Sequence, residues 1–280
     1  MTINCKGSLV DLSIPKVMGI LNVTPDSFYD GGKYTKDSPI LNRVETILEQ
    51  GATFIDLGAY SSRPGAEVVT PEEEIQRSVP ITKLILKHFP EALLSVDTFR
   101  AEVARQNIDS GASMINDISG GQLDPDMLAT VGALQVPYIL MHMKGNPKNM
   151  QDHTQYGNMM KELLFYFSER IAEARAHKIN DIIVDPGFGF SKSLDQNYEL
   201  MAKLDLLHIL KLPLFVGVSR KSMIYNLLET DPQHALNGTT SLNTLALNKG
   251  AHILRVHDVK QAVECVKIHQ MITTKNTRDL

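Results

Sequence analysis

Eight short apolar segments recur along the chain, and stretches with helical spacing or capping signals lie between them. Valine, isoleucine and leucine dominate the segments, which favours β-strands, and polar residues or glycines end them. The segments are residues 17–21, 54–58, 93–97, 114–118, 138–142, 182–185, 214–218 and 252–257. This alternation of strands and helices predicts an α/β fold, namely a (β/α)8 TIM barrel.

The length of 280 residues fits both a closed barrel and a doubly wound open sheet. The open sheet is the less favoured alternative, because no G-x-G-x-x-G follows the first segment and because eight units are what barrel closure requires. No long linker or low-complexity stretch divides the chain. We therefore predict a single domain over residues 1–280, with a short lead before residue 17.

Local signals mark several helices. Thr70, Pro71 and Glu73 combine an N-cap, a proline in the first turn and a capping box, and Ser193 with Gln196 forms a second capping box. Further helices are expected at about residues 39–50, 100–110 and 258–271, and the helix after Ser193 is expected to end near residue 210. Each of these helices follows a predicted strand, as the barrel requires.

Charge and composition exclude several classes of partner. The formal net charge is -4 and the charges are scattered, so the chain presents no basic field for nucleic acid or for an anionic membrane. The apolar runs are far shorter than the roughly 20 residues of a membrane span, and the N-terminus lacks a signal-peptide pattern. Cys5 and Cys265 are too few for a disulfide scaffold or a zinc site. We expect a cytoplasmic protein with reduced thiols.

Polar side chains stand at the ends of the predicted strands, which share one face of a barrel. They are Asn22, Ser62, Arg63, Asp97, Asn116, His142, Asp185, Lys221, Arg255 and His257. The two aspartates and Asn116 suit the donor-rich edge of a flat, guanidine-like heterocycle. The arginines and His257 suit an oxyanion such as phosphate or diphosphate, and Asn22 offers a neutral oxygen to Mg²⁺. Lys221 is expected between the two groups.

Each of these residues also has a structural explanation. Asp97 can cap the following helix, Asn116 can hold its own loop, and Arg63 and Lys221 can be solvated. His142 is more typical of a core or loop residue than of a ligand. Two aromatic residues, Phe188 and Phe190, can either pack a loop or stack on a ligand. A functional site is favoured because the structural explanations would all have to hold at once on one face.

Two hydrolytic chemistries are disfavoured. A metal-hydrolase barrel normally carries two histidines one residue apart at the end of an early strand, whereas the first strand here ends in Asn22 and the stretch 141–143 contains one histidine. No G-x-S-x-G motif lies beside the strands. Zinc hydrolysis and serine hydrolysis are therefore not expected.

A series of motifs resembles the dihydropteroate synthase family, the folate-pathway enzymes that sulfonamides target. The motifs run in order over nearly the whole chain: M-G-I-L-N-V-T-P-D-S-F at 18–28, S-R-P-G-A at 62–66, S-V-D-T at 95–98, I-N-D-I at 115–118, L-M-H-M at 140–143, D-P-G-F-G-F at 185–190, S-R-K-S at 219–222 and R-V-H-D at 255–258. The related methyltetrahydrofolate-corrinoid methyltransferases share the aspartate and asparagine pterin grip, but S-R-K-S and R-V-H-D together are not expected in them.

The resemblance implies condensation of 7,8-dihydropterin-6-ylmethyl diphosphate with 4-aminobenzoate, with Mg²⁺ bound through Asn22 and with a homodimeric enzyme. It assigns the residues to three subsites, with Lys221, Asp97, Asp185 and Asp30 as the catalytic group. The pterin subsite is Asp97, Asn116, Asp185 and Lys221, and the diphosphate subsite is Asn22, Arg63, Arg255 and His257. The aminobenzoate subsite is Phe28, Ser62, Arg63, Pro64, Phe190, Lys221 and Ser222.

This chemistry is physically consistent with the residues. Departure of diphosphate leaves positive charge on the pterin methylene, so anions near the ring and cations near the leaving group both lower the barrier. Three residues depart from the family pattern: Tyr60 and Ser62 replace the usual glutamate and threonine, and Phe99 is bulkier than expected. A catalytically silent pterin-binding or partner-regulating protein is the alternative from another functional class.

Overall fold

An N-terminal hairpin precedes the barrel. The structure is a computed structural model that describes residues 1–23, 39–60 and 69–276. Strands β1 (Thr2–Cys5) and β2 (Ser8–Asp11) pair antiparallel through a two-residue turn. Both turn residues, Lys6 and Gly7, have positive φ, as a type I′ hairpin turn requires. This segment was predicted only as a short lead, because a short hairpin with one buried face carries little local signal.

The barrel strands are parallel and follow the predicted order. Within the described ranges they number eight: β3 (Lys16–Asn22), β4 (Phe54–Gly58), β5 (Leu93–Asp97), β6 (Met114–Asp117), β7 (Tyr138–Met141), β8 (Ile182–Asp185), β9 (Phe215–Val216) and β10 (Ile253–Val256). Their spatial order is β8-β7-β6-β5-β4-β3-β10-β9. A bridge between Val184 and Leu214 joins β8 to the start of β9 and nearly closes the barrel. The predicted single TIM barrel is confirmed.

Helices cover the outside of the barrel. In the described part of the chain they are α1 (Pro39–Glu49), α2 (Pro71–His88), α3 (Ala101–Asp109), α4 (Met127–Leu134), α5 (Met159–Ala176), α6 (Leu194–Ala202), α7 (Ser222–Tyr225), α8 (Leu236–Asn248) and α9 (Val259–Asn276). None of them is both long enough and apolar enough to cross a bilayer. Helices α4, α7 and α8 were not predicted, and the helix expected up to residue 210 is interrupted, with a 3-10 helix at Leu204–Leu210.

The predicted caps are present and explain where α2 and α6 begin. Thr70 accepts a hydrogen bond from the backbone N–H of Glu73 at 3.2 Å. Ser193 and Gln196 form the reciprocal capping box. These bonds satisfy backbone donors that a helix start otherwise leaves unpaired. The helix starts are therefore among the best-predicted features of the fold.

Two apolar clusters separate the inside of the barrel from its outer layer. The inner cluster contains side chains near the amino ends of the strands, such as Met18, Phe54 and Phe215, together with Ile3 and Leu12 of the hairpin segment. The outer cluster fills the space between strands and helices. The hairpin thus covers the amino-terminal end of the barrel, and the polar side chains of the opposite end remain available for a site.

Candidate active site at the carboxyl ends of the strands

Strand register brings the first polar residues together. Asn22 is paired with Gly58, Gly58 with Asp97, and Asp97 with Asn116 across β3, β4, β5 and β6. Because Gly58 has no side chain, its neighbours approach each other: a methyl group there would lie 3.1 Å from Asn22 Oδ1 and 3.9 Å from Asp97 Oδ2. The predicted oxygen ligand therefore lies beside the predicted pterin carboxylate.

Arg255 of β10 reaches across the barrel to two carboxylates. Its Nε donates to Asp56 Oδ2 at 2.6 Å and its Nη2 donates to Asp97 Oδ2 at 2.8 Å. Asn116 Nδ2 also donates to Asp56 Oδ2, at 3.0 Å. One guanidinium thus orients two acids and, through the shared oxygen, the asparagine. Such charge-assisted bonds are shorter and stronger than neutral ones.

Asp56 was not identified from the sequence, although a signal was present. It is an acid in the middle of the apolar strand β4, and its side chain is completely buried. Burying a charge is costly unless it is paired, and Arg255 provides the pair. Its second oxygen, Oδ1, has no hydrogen-bond partner among the described residues. An acid at a central strand position therefore indicated a polar network inside the barrel mouth.

The environment of Asp97 favours its protonated form more than is usual for an aspartate. Burial is the main cause, the nearby carboxylate of Asp56 adds to it, and the Arg255 guanidinium acts in the opposite direction; together they raise the pKa of Asp97 to about 7. The ionised state of this acid therefore depends on Arg255 and on any donor that a ligand supplies.

A second polar group surrounds Asp185, at the end of β8. The backbone N–H of Gly187 donates to Asp185 Oδ1 at 2.8 Å. Burial raises the pKa of Asp185, and the Lys221 ammonium is the main influence that lowers it again. Burial lowers the pKa of Lys221 to about 8, and Asp185 opposes that shift. The two groups stabilise each other's charged forms.

Lys221 connects this acid to the aromatic side of the site. Its Nζ donates to the Phe188 carbonyl at 2.5 Å and lies 4.8 Å from the centre of the Phe190 ring. Electrostatic interactions also link it to Asp97 and Arg255. Lys221 thus interacts both with acids of the predicted pterin group and with Arg255 of the predicted oxyanion group.

His257 follows β10 and is held by Ser219. The serine hydroxyl accepts the His257 backbone N–H at 3.1 Å and lies 3.0 Å from the ring Nδ1. A hydroxyl that accepts one bond can donate the other, which favours the tautomer with the proton on Nε2. The neighbouring Arg220 forms a two-bond ion pair with Asp258, at 2.9 and 2.6 Å.

The described structure brings nine of the predicted site residues to the carboxyl ends of the strands or to the loops that follow. They are Asn22, Asp97, Asn116, Asp185, Phe190, Lys221, Ser222, Arg255 and His257. Five further predicted residues lie outside the described residues, namely Phe28, Asp30, Ser62, Arg63 and Pro64. Their roles stay predictions.

Two residues with open interpretations have structural roles. Phe188 is completely buried in the outer core, so it packs the loop. His142 is also buried, and its ring lies edge-on to Tyr166 with centroids 4.8 Å apart. Phe190 is only partly buried and remains available beside Lys221.

The two bulky departures from the family pattern contact each other. The rings of Tyr60 and Phe99 meet edge to face at 5.3 Å, and the Arg100 guanidinium lies 5.5 and 5.1 Å from their centres. Arg100 is in turn ion-paired with the buried Glu74 of α2. The two aromatic rings therefore pack against each other and cover the ion pair between Arg100 and Glu74.

Comparison with known proteins identifies the family. A family described as pterin-binding enzymes matches residues 18–257. The dihydropteroate synthase of Escherichia coli (strain K12) is 44% identical over 270 residues, which covers 96% of this chain and 95% of that relative. This chain belongs to the dihydropteroate synthase family. The sequence-based recognition and the assignment to transferases are both confirmed.

Solved structures of the same family share the whole fold. Yersinia pestis dihydropteroate synthase in a sulfonamide drug complex superposes with a TM-score of 0.90 at 43% identity, covering 98% of this chain and 100% of that one. The Xanthomonas albilineans dihydropteroate synthase in complex with 7,8-dihydropteroate has a TM-score of 0.85 at 36% identity, covering 98% and 99%. The barrel and the order of its elements are therefore those of dihydropteroate synthases.

Proposed function

We propose that this chain condenses 7,8-dihydropterin-6-ylmethyl diphosphate with 4-aminobenzoate to give 7,8-dihydropteroate and diphosphate. The observation that carries the proposal is the network at the barrel mouth, in which Arg255 holds Asp56 and Asp97 while Asp185 faces Lys221. These acids accept hydrogen bonds, whereas the amino group and ring N–H of a pterin donate them. Membership in the dihydropteroate synthase family supports the same reaction.

Pterin recognition is assigned to Asp97, Asn116, Asp185 and Lys221. Asp185 is buried, so its ionised carboxylate forms strong bonds with the guanidine-like edge of the ring. The Lys221 ammonium lowers the pKa of Asp185, which burial raises, and therefore favours the ionised acid. Asn116 can present its amide oxygen, because its amide nitrogen is engaged by Asp56.

The chemical step needs charge stabilisation more than a strong base. As the bond between the methylene carbon and the diphosphate oxygen breaks, positive charge develops on the dihydropterin. The amine nitrogen of 4-aminobenzoate then forms the new bond to that carbon and loses a proton to solvent. The carboxylates of Asp97 and Asp185 stabilise the cation, and Arg255 and His257 favour departure of the anion.

Mg²⁺ fits the diphosphate side through a small number of protein ligands. Within the described residues no cluster of three histidine, cysteine or acidic side chains is built for a metal. Asn22 offers one exposed amide oxygen beside Asp97. Mg²⁺ commonly uses one or two protein oxygens together with substrate phosphates and water. A bound ion would neutralise charge on the leaving diphosphate.

The aminobenzoate subsite is assigned to Phe190, Lys221 and Ser222, together with the undescribed Phe28, Ser62, Arg63 and Pro64. The Phe190 ring and the Lys221 ammonium lie together, so an aryl carboxylate can use both an aromatic and a cationic contact. Ser222 is exposed at the first position of α7. Asp30 is assigned to the activated pterin.

A homodimer in the cytoplasm is part of the proposal. Four apolar residues on α8 and α9 are each exposed over at least half of their surface, namely Leu245, Ile268, Met271 and Ile272. Burying them against a second copy would remove an apolar surface from water. Both cysteines are free and buried, as is usual in a reducing compartment. Light scattering on the purified protein tests the dimer.

Turnover tests the proposed function. Purified protein incubated with both substrates and Mg²⁺ should form 7,8-dihydropteroate, detected by liquid chromatography, and omission of either substrate is the control. A folded protein that yields no product contradicts the proposal. Pterin binding without turnover would select the silent pterin-binding protein, and methyl transfer from a methylated folate would select the corrinoid-dependent alternative.

A further inference from the structure

Lys192 is a buried cation outside the residues assigned above. It lies between β8 and α6, and only 3% of its surface is exposed. Its ammonium donates to the carbonyls of Gly187 and Phe190, each at 3.0 Å, and lies 3.1 Å from His142 Nδ1. These three acceptors use all three N–H bonds of an ammonium. His142 therefore accepts through Nδ1 and is neutral.

The loop at residues 186–191 depends on side chains for its hydrogen bonds. Gly187, Gly189 and Ser191 all have positive φ, so this backbone cannot join the strand ladder. Five of its carbonyls accept hydrogen bonds from side chains. The Lys192 ammonium donates to Gly187 and Phe190, and Lys221 donates to Phe188. The Gln151 amide donates to Gly189, and the Tyr156 hydroxyl donates to Ser191. Among the described side chains, Lys192 is the one that donates to two of these carbonyls, which makes it the central tether.

The tethered loop carries contacts that the reaction needs. The Gly187 N–H binds the Asp185 carboxylate, and the Phe188 carbonyl holds the Lys221 ammonium. The Phe190 ring lies beside that same ammonium. A displacement of the loop would therefore disturb Asp185, Lys221 and Phe190 together.

We propose that Lys192 is a positioning residue, whose ammonium fixes the loop at residues 186–191 so that Asp185, Lys221 and Phe190 meet both substrates. This inference rests on the proposed function. Lys192 itself contacts only loop carbonyls and His142 in the described structure, and it acts on the substrates through Asp185, Lys221 and Phe190. Its positive charge also lowers the pKa of Asp185, which burial raises, so the tether additionally favours the ionised acid.

Replacing Lys192 with methionine tests the tether. Met keeps the apolar stem and removes the donors, so both the Michaelis constant for 4-aminobenzoate and the dissociation constant of the pterin should rise. We expect kcat/KM to fall roughly 100-fold, since a displacement of about 1 Å can cost that much. Lys144→Met is the matched control, because its ammonium bonds Gln155, Glu162 and the Tyr156 ring and touches no carbonyl of the loop. It should stay within about 3-fold of wild type.

Lys192→Gln separates the tether from a general loss of stability. Its amide keeps two N–H donors for the two carbonyls, so it should recover part of kcat/KM even where Lys192→Met fails to fold. Lys192→Met with wild-type kcat and wild-type constants for both substrates overturns the inference. So does a loss in either variant that disappears once rates are divided by the folded fraction from circular dichroism. Wild-type turnover in the same assay tests the proposed function separately.

Discussion

The two halves of the site are held by different means. On one side, strand register places Asp56, Asp97 and Asn116, and Arg255 locks them across the barrel. On the other side, Asp185 and Lys221 depend on a loop whose carbonyls are held by side chains from several parts of the chain. The arrangement of the first half therefore depends on the balance of buried charges, whereas the arrangement of the second half depends on the conformation of one loop.

This difference makes distinct demands on substitution. A strand-held residue keeps its position when its neighbour changes, so the expected damage is electrostatic and depends on pH. A loop-held residue loses its position when a donor is removed, so the damage falls on substrate affinity and rate. Variants in the two halves should separate along these lines.

The largest effect is expected from Arg255→Met in the strand-held half. It leaves the buried carboxylate of Asp56 and the partly buried carboxylate of Asp97 without their cation, and breaking a buried pair costs about 3–5 kcal/mol. Urea denaturation measures the change. Because the folded-state pKa of Asp97 is about 7 with Arg255 beside it and rises further without that cation, the loss should grow as pH rises above about 7, where Asp97 ionises in the wild type but not in the variant.

Arg105→Met is the control for that measurement. Arg105 pairs with Glu102 and Asp109 on the surface of α3, where solvent screens the charges, so its removal should change the free energy of unfolding far less than Arg255→Met does. A similar loss of stability in both variants, or a loss in Arg255→Met that does not change with pH, would contradict a charge-limited half.

Asp56→Asn should have the next largest effect. The substitution keeps the shape but removes the charge that Arg255 and Asn116 share, and hydrogen bonds to charged groups contribute about 1.5–3 kcal/mol. Calorimetric titration should show pterin affinity lowered roughly 10-fold or more. Unchanged affinity would mean that Asp56 is only a structural counter-charge.

The loop-held half should determine the alkaline limb of the pH profile. The lowered pKa of Lys221, about 8, means that its ammonium is lost as pH rises through that value. We expect kcat/KM to fall roughly tenfold per pH unit above about 8. Lys221→Arg, which keeps its charge, should show lower activity without that limb. A separate fall that begins near pH 7 and persists in Lys221→Arg would belong to Lys192, whose pKa burial lowers to about 7 and whose ammonium tethers the loop.

The smallest effect is expected at the aromatic pair that departs from the family pattern. Tyr60→Ala and Phe99→Ala should each destabilise the protein, and a double-mutant cycle should give a coupling of about 0.5–1.5 kcal/mol from their edge-to-face contact. Denaturant unfolding of the four proteins measures it. Strict additivity of the two substitutions would show that the pair contributes no more than its separate parts.

Much of the strand-held half could be predicted from the sequence, because the signals are local. Strands β4 and β5 end at Gly58 and Asp97, where a glycine or a polar residue follows the apolar run in the sequence. Barrel topology then places Asp97 beside Asn116. Asp56 was missed because it sits inside a strand and not at its end. Its partner, Arg255, is 199 residues away in sequence.

The loop-held half was predicted less completely. Asp185, Phe190 and Lys221 stand in recognisable motifs, but the dependence of the loop on Lys192 and His142 rests on contacts between residues up to 50 apart. The N-terminal hairpin and helices α4, α7 and α8 were also missed. None of these three helices has a side-chain cap bond, so their stability depends on packing more than on local signals. Local patterns therefore predict elements, whereas tertiary contacts decide how the loops between them are held.

Binding of a dihydropterin to the Asp185→Asn variant tests the central claim most directly. Isothermal titration with 6-hydroxymethyl-7,8-dihydropterin should show affinity roughly 10- to 150-fold weaker than wild type, since a charge-assisted hydrogen bond contributes about 1.5–3 kcal/mol. The variant should remain folded by circular dichroism. Wild-type affinity in folded Asp185→Asn would contradict the assignment of the barrel mouth as a pterin site built around this acid.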